Sequence, residues 1–511
     1  MTVTSGTPRE GPGAATATQA PAGAPPGMQT GQLAKGSLRT IDAIAISVSV
    51  LSPAMAMDLN TGGVAAVAGG STPLSFLLGG VGCLALGFVV VGFTRRMAAA
   101  GYAYTYLSRS LGKRWGFLAG WMYAFGFMAF VPMTMSAVGQ IAATLLTIHA
   151  SYAWFLFFLV GMALLVVLSL IRVRVTTKFQ LVVGALTVLL FLIVDFFITG
   201  KGGAHGQSLG AFTFSHTTTG GFHGVFYGII LGVTSYIGFE SAADFGEETK
   251  NPRRSVPIAV IAAVSFAIVF YVFTVYATTI GFGVTALQHN PAPWVTGTFA
   301  AVANTYVSHS VGTLVKLAAM LSAFVVCVAC ATAASRTLFA MGRETVLPNW
   351  FSHTHKTFKT PFNATCVVAV IATVVAAIVG FNFSSKLMGG DAFTVYFLLA
   401  TIGTLAVVLV YIGLCLGGIG FFYRTSRRFN PLVHGLIPLI GAVIFGAALY
   451  GSIWPLPPSP IDTAIYITAA WLAIGIGALA WIIRTRPDSV ERIGSILGEE
   501  GGELVEALDA P

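Results

Sequence analysis

Glu240 stands two residues after Gly238 in the stretch TSYIGFESAADFGEETKNPRRSVP, directly behind an apolar run, GFHGVFYGIILGV, with the character of a membrane span. An ionisable side chain near the bilayer centre costs roughly 2.5 kcal/mol or more, and acids kept at such depth commonly handle protons or ions. A second polar set interrupts the first apolar run, TIDAIAISVSVLSPAMAMDLNTGGV, where Pro53 is followed by Asp58 and Asn60. Proline removes a backbone donor and clashes with the preceding turn, so the helix opens there. Freed backbone is tolerated at membrane depth only where protein or a water-filled cavity receives it. The chemistry such residues can do is reversible binding of a polar solute, with a carboxyl able to take or release a proton.

Bond-making chemistry has less to stand on. Neither a Ser/His/Asp set nor a His-rich motif falls within the apolar runs, so no catalytic residue, metal site or cofactor is expected. Cys83, Cys327, Cys330, Cys366 and Cys415 all lie in apolar surroundings, and Cys327 and Cys330 read as small residues on a packed helix face. His353 and His355, two apart in a polar loop, make a poor ligand pair.

The elements that must hold these residues follow from composition. The 511-residue chain is 56% hydrophobic and 9% charged, against about 25% charged in soluble domains, which makes it a multi-spanning membrane protein. A membrane helix needs about 20 mostly apolar residues. Twelve such runs are predicted, near 41–67, 73–94, 115–147, 151–171, 179–199, 222–246, 255–283, 311–341, 362–381, 391–421, 433–453 and 462–483. Residues 1–38, rich in Gly, Pro, Ala and Thr, are expected to be a disordered tail, and 487–511 an acidic one, flanking a transmembrane domain at 39–486.

The formal charge of +9 could point to nucleic acid, but the basic residues cluster in loops on one side. With both termini cytoplasmic, every Lys and Arg except Lys201, Lys316 and Lys386 falls inside, as the positive-inside rule requires. No nucleic acid partner is expected, only membrane lipid and a small solute. Asp195, near the outer end of span five, is expected in solvent.

The interruptions in spans one and six lie five spans apart, so the two segments cross in opposite directions. That pattern fits an inverted repeat, 41–199 and 222–421, with spans eleven and twelve (433–483) appended, and places a binding site midway through the membrane. The expected fold is therefore all-α, with twelve transmembrane helices in a five-plus-five inverted repeat and discontinuous helices one and six.

Three stretches carry a family resemblance: RRMAAAGYAYTYLSRSLGKRWGFLAGW (95–121), GFESAADFGEETKNPRRSVPIAV (238–260) and SRTLFAMGRETVLPNWF (335–351). With these, residues 36–486 resemble the amino acid–polyamine–organocation permeases of bacterial plasma membranes. The resemblance implies alternating access around a central site. It implies that backbone amides at Ser52, Pro53, Ala54 and Met55 hold a substrate carboxylate, and that carbonyls at Thr234, Ser235 and Ile237, beside Gly238, meet its ammonium. Glu240 and Asp58 are the candidates for proton coupling. Cys330, Thr332 and Ser335 on span eight stand where sodium-coupled proteins of this fold place hydroxyls.

The sequence departs from the family at two points. SPAMAM replaces the usual Gly-x-Gly of span one, and Pro53 has no amide to donate. Thr187 occupies the place of a span-five lysine found in some proton-coupled relatives. The expected activity is import or exchange of an amino acid or amine, driven by protons or counter-substrate. A sodium symporter of another organic solute and a non-transporting nutrient sensor are the alternatives.

Overall fold

The computed structural model describes residues 38–97, 102–169, 173–245, 249–344, 346–355, 360–383, 391–425, 429–457, 459–487 and 490. Apart from Leu38, Pro487 and Val490, both predicted tails, and also Glu247 and Glu248 of the loop after span six, lie outside the described residues. Every long element among those described is a helix. In a bilayer this is the expected solution, because a helix satisfies its own amides and carbonyls where no water can.

The first apolar run forms α1 (Thr40–Leu51), α2 (Pro53–Met55), a wide π-helical turn at Ala56–Asn60 and α3 (Thr61–Ala68). It leads into α4 (Thr72–Thr94), the short α5 (Tyr102–Ser110), α6 (Lys113–Leu145), α7 (Ala153–Ser169) and α8 (Val173–Gly200). The second half holds α9 (Gly221–Tyr236), α10 (Pro252–Phe282), α11 (Val284–His289), α12 (Ala292–Tyr306) and α13 (His309–Arg343). Next come α14 (Phe362–Asn382), α15 (Asp391–Thr425), α16 (Ile437–Ile453) and α17 (Thr463–Thr485). Among the described residues, nine helical stretches are long and apolar enough to cross a membrane.

Outer surfaces and core separate as lipid requires. Val160, Leu186, Phe196, Val269, Val370 and Val443 are well exposed on α7, α8, α10, α14 and α16, where hydrocarbon rather than water would meet them. Inside, α6 packs against α13 and α15, and α4 against α10 and α16. Small residues permit the closest approach. A Cβ on Gly126 of α6 would stand 2.9 Å from the Gly403 carbonyl oxygen of α15, so the backbones meet where lipid offers no hydrophobic drive for association.

Two elements were not anticipated. α5 lies between spans two and three, and α11–α12 between spans seven and eight, with α12 packed on α3 and α13. Asp195 also differs from expectation. It is fully buried, its Oδ2 accepts a 2.6 Å hydrogen bond from Thr274 on α10, and its Oδ1 has no partner among the described residues. Proximity to a helix end in sequence placed it in solvent, but the packing of α10 on α8 covers it.

Candidate functional site

Ser52 makes the break in span one. Its backbone is left-handed (φ 47, ψ 62), which ends α1 and lets α2 begin with Pro53 at its first position. Proline suits that position, since its missing amide would have had no intrahelical acceptor. The left-handed conformation costs of order 1–3 kcal/mol in a non-glycine residue, and the surroundings offset it. The Ser52 amide donates to the Ser49 carbonyl, its carbonyl accepts from the Ala56 amide, and its Oγ pairs with Ser322 Oγ of α13 at 2.8 Å. Tyr271 of α10 donates to the Leu51 carbonyl at 2.8 Å, satisfying an acceptor that the end of α1 leaves open. Ala54 and Met55 are then the second and third residues of a new helix start, whose amides lack intrahelical acceptors and lie at the positive end of the dipole.

The break in span six begins where α9 stops. Ile237 is extended (φ −57, ψ 130) and Gly238 adopts φ +108, and a tight turn at Ser241–Phe245 follows. Glycine is required here twice over, for its φ and because a Cβ would stand 2.2 Å from Val50 Cγ1. The break in span six therefore lies directly on α1.

Glu240 closes this break. It is fully buried; Oε2 accepts from the Gly238 amide at 3.0 Å, Oε1 accepts from Tyr411 of α15 at 2.5 Å, and Tyr123 of α6 is a further hydrogen-bond partner. One carboxyl thus ties the unwound segment to two other spans. On the far side of the breaks, Asn60 donates to Ser235 Oγ at 3.0 Å and accepts from the Tyr396 hydroxyl, and Thr234 pairs with Thr404 at 2.7 Å.

Between the breaks lies a cavity of about 20 Å³, lined by Val50, Leu51, Met55, Phe130, Ile237 and Cys330 among others. That is room for roughly one water molecule, so the site is closed in this conformation. A larger, apolar cavity of about 540 Å³ is lined by residues of α1 and α8 and reaches Pro53 and Ser322.

The chain matches the family model for amino acid permeases over residues 37–479. It belongs to the amino acid permease family.

Relatives of this permease include the methylthioribose transporter of Bacillus subtilis, 24% identical over 370 residues that cover 68% of this chain and 76% of the relative. The branched-chain amino acid permease of Lactococcus lactis is 25% identical over 384 residues, covering 72% of this chain and 80% of that one. The low-affinity putrescine importer of Escherichia coli is 21% identical over 458 residues, covering 88% and 94%. The permease is thus a member of a transporter family, and its apolar helices make it a multi-pass membrane protein.

Not every predicted site residue of the permease converges on the breaks. Asp58 is buried under α12, where Oδ1 accepts from Thr298 Oγ1 at 2.7 Å and from the Ala300 amide at 3.2 Å. Of the span-eight candidates, Cys330 lines the small cavity, but Thr332 and Ser335 turn their hydroxyls back to the Val328 and Ala331 carbonyls of their own helix. Thr187 likewise bonds the Gly184 carbonyl. The α13 hydroxyl that reaches the span-one break belongs to Ser322, about three turns before Thr332, which sequence reasoning missed together with Tyr411. A serine or tyrosine inside a long apolar run carries no local mark of what it will face.

Proposed function

We propose that this permease is a secondary active transporter that carries a neutral amino acid across the plasma membrane by alternating access. In this reading it has twelve crossings, with α7 and α9 counted among them, in a five-plus-five inverted repeat with two appended helices, and both termini are cytoplasmic. The observation that carries the proposal is the juxtaposition of two backbone breaks, at Ser52 and Gly238, in contact through Val50. The helix start at Ala54 and Met55 offers amides to a substrate carboxylate, and the unwound turn at Ile237 offers carbonyls to its ammonium.

Side-chain selectivity follows from the lining. Val50, Leu51, Met55, Phe130, Met133 and Val326 are apolar, and among the described residues no acidic side chain lines the cavity. Glu240 and Asp58 are committed to Tyr411, Gly238, Thr298 and Ala300. A diamine such as putrescine, named for one relative, would bring a second cation with no carboxylate to meet it. An aliphatic amino acid fits better, as carried by the branched-chain permeases.

Transport requires the closed cavity to open. The 540 Å³ space beside α1 leaves the inner half-helix room to swing about Ser52. Glu240 couples this movement to a proton: its carboxyl holds Gly238 against Tyr411, and a change of proton alters which of those hydrogen bonds it can accept or donate. A second reading has one supporting observation. The Ser52–Ser322 hydroxyl pair places oxygens of spans one and eight together, as a sodium site would need.

Purified protein in proteoliposomes decides between these readings. Radiolabelled leucine should accumulate under an inward proton gradient and exchange with internal leucine. Uptake driven by sodium alone would transfer coupling to the hydroxyl pair. Binding of putrescine or methylthioribose with no binding of neutral amino acids would overturn the substrate class.

A further inference from the structure

A cleft of about 810 Å³ opens where the last turns of α4 face the first turns of α10 and the start of span eleven. Its lining changes character along its length. Phe88, Val91, Ile258 and Ile261 form apolar walls, whereas Arg95 and Arg96 stand at one end, beyond the last turn of α4. Positions 88 to 96 on α4 and 257 to 265 on α10 each run about 12 Å along their helices at 1.5 Å per residue. Phe88, Ile258 and Val433 are substantially exposed, so the cleft is open on the lipid-facing side.

The cationic end is built rather than incidental. Arg96 is held by a 2.9 Å hydrogen bond from Nη1 to the Gly92 carbonyl, and its guanidinium lies 5.1 Å from the centre of the Phe422 ring. Arg95 is exposed beside it, and among the described residues no acidic side chain lines the cleft. A cationic end joined to an apolar trough is complementary to one class of ligand, an anion attached to a hydrocarbon chain.

We propose that this cleft binds an anionic phospholipid, with the phosphate at Arg95 and Arg96 and an acyl chain along Phe88 and Ile261. Basic pockets between membrane helices recognise such headgroups through charge, at a depth the apolar walls fix. The site is separate from the two backbone breaks and does not depend on the transport reading. Its occupant bridges α4, α10 and span eleven, so it braces three elements against one another.

Purified permease stripped of lipid is titrated with phosphatidylglycerol, phosphatidylcholine or inorganic phosphate, and binding is followed by native mass spectrometry and melting temperature. Phosphatidylglycerol is expected to remain bound and raise the melting temperature, and the other two are not. Arg95→Gln, an exposed change that should leave folding intact, is expected to weaken phosphatidylglycerol binding about fivefold, and Ile258→Trp to block it by filling the trough. Equal binding of phosphatidylcholine, an equal shift with phosphate alone, or unaltered phosphatidylglycerol binding by Arg95→Gln would each overturn the proposal. If Arg96→Gln fails to fold through loss of its Phe422 contact, Arg95→Gln and Ile258→Trp still decide the outcome.

Discussion

The carboxyl of Glu240 accepts a 2.5 Å hydrogen bond from the hydroxyl of Tyr411, a residue 171 positions away on α15. With the Gly238 amide on its other oxygen, Glu240 links an unwound turn to a helix on the opposite side of the site. Glu240→Gln keeps the size of the side chain and an acceptor, so the protein is expected to fold and bind substrate. It should lose the dependence of uptake on a proton gradient. Tyr411→Phe leaves one carboxyl oxygen a partner short and should cost about 1–3 kcal/mol of stability. Proteoliposome uptake with and without a pH gradient checks the first outcome, and unchanged proton-driven uptake by Glu240→Gln would remove the residue from the coupling mechanism.

Gly238→Ala tests the contact between the breaks. The substitution places a methyl group 2.2 Å from Val50 Cγ1 at φ +108, so it should destabilise the protein and abolish substrate binding. Val50→Gly in the same chain removes the clash but not the backbone strain, so recovery should be partial. Melting temperature and leucine binding of the single and double variants measure this. Wild-type behaviour of Gly238→Ala alone is incompatible with the contact.

Ser52 separates backbone from hydroxyl effects. Glycine accepts the left-handed conformation, so Ser52→Gly should retain the break while losing the Ser322 partner, at about 1 kcal/mol. Ser52→Val puts a β-branched residue at φ 47 and should be far more disruptive. Ser322→Ala deletes the other hydroxyl without touching the hinge. If sodium drives uptake, Ser322→Ala and Ser52→Gly should both raise the sodium concentration needed; if protons drive it, neither should alter the ion requirement.

Asp58 pins α12 over the part of span one that follows the Ser52 break. Thr298, its partner, is strained at φ 57 and ψ −170, and the Trp294 indole donates to Thr61 Oγ1 at 3.1 Å on the same face. Asp58→Ala should release residues 292–306, seen as faster amide hydrogen exchange there with little change in α13. Asp58→Asn keeps an acceptor for Thr298 and should show a smaller effect. Equal exchange in wild type and Asp58→Ala would mean that packing alone holds α12.

Apolar runs longer than the bilayer, broken by Pro53 and Gly238, already dictated an all-helical membrane protein with interruptions in its first and sixth segments. Those properties are local: hydropathy, a missing amide and a permitted φ act within one turn of chain. The contact of Gly238 with Val50, the joining of Glu240 to Tyr411 and of Ser52 to Ser322, and the burial of Asp58 and Asp195 came only from the packing of helices far apart in the chain. A polar atom in a membrane segment must find a partner, but its own neighbours in sequence do not specify which helix supplies it. The pattern of residues thus marked where polar groups would need satisfaction, and the arrangement of helices chose what satisfies them.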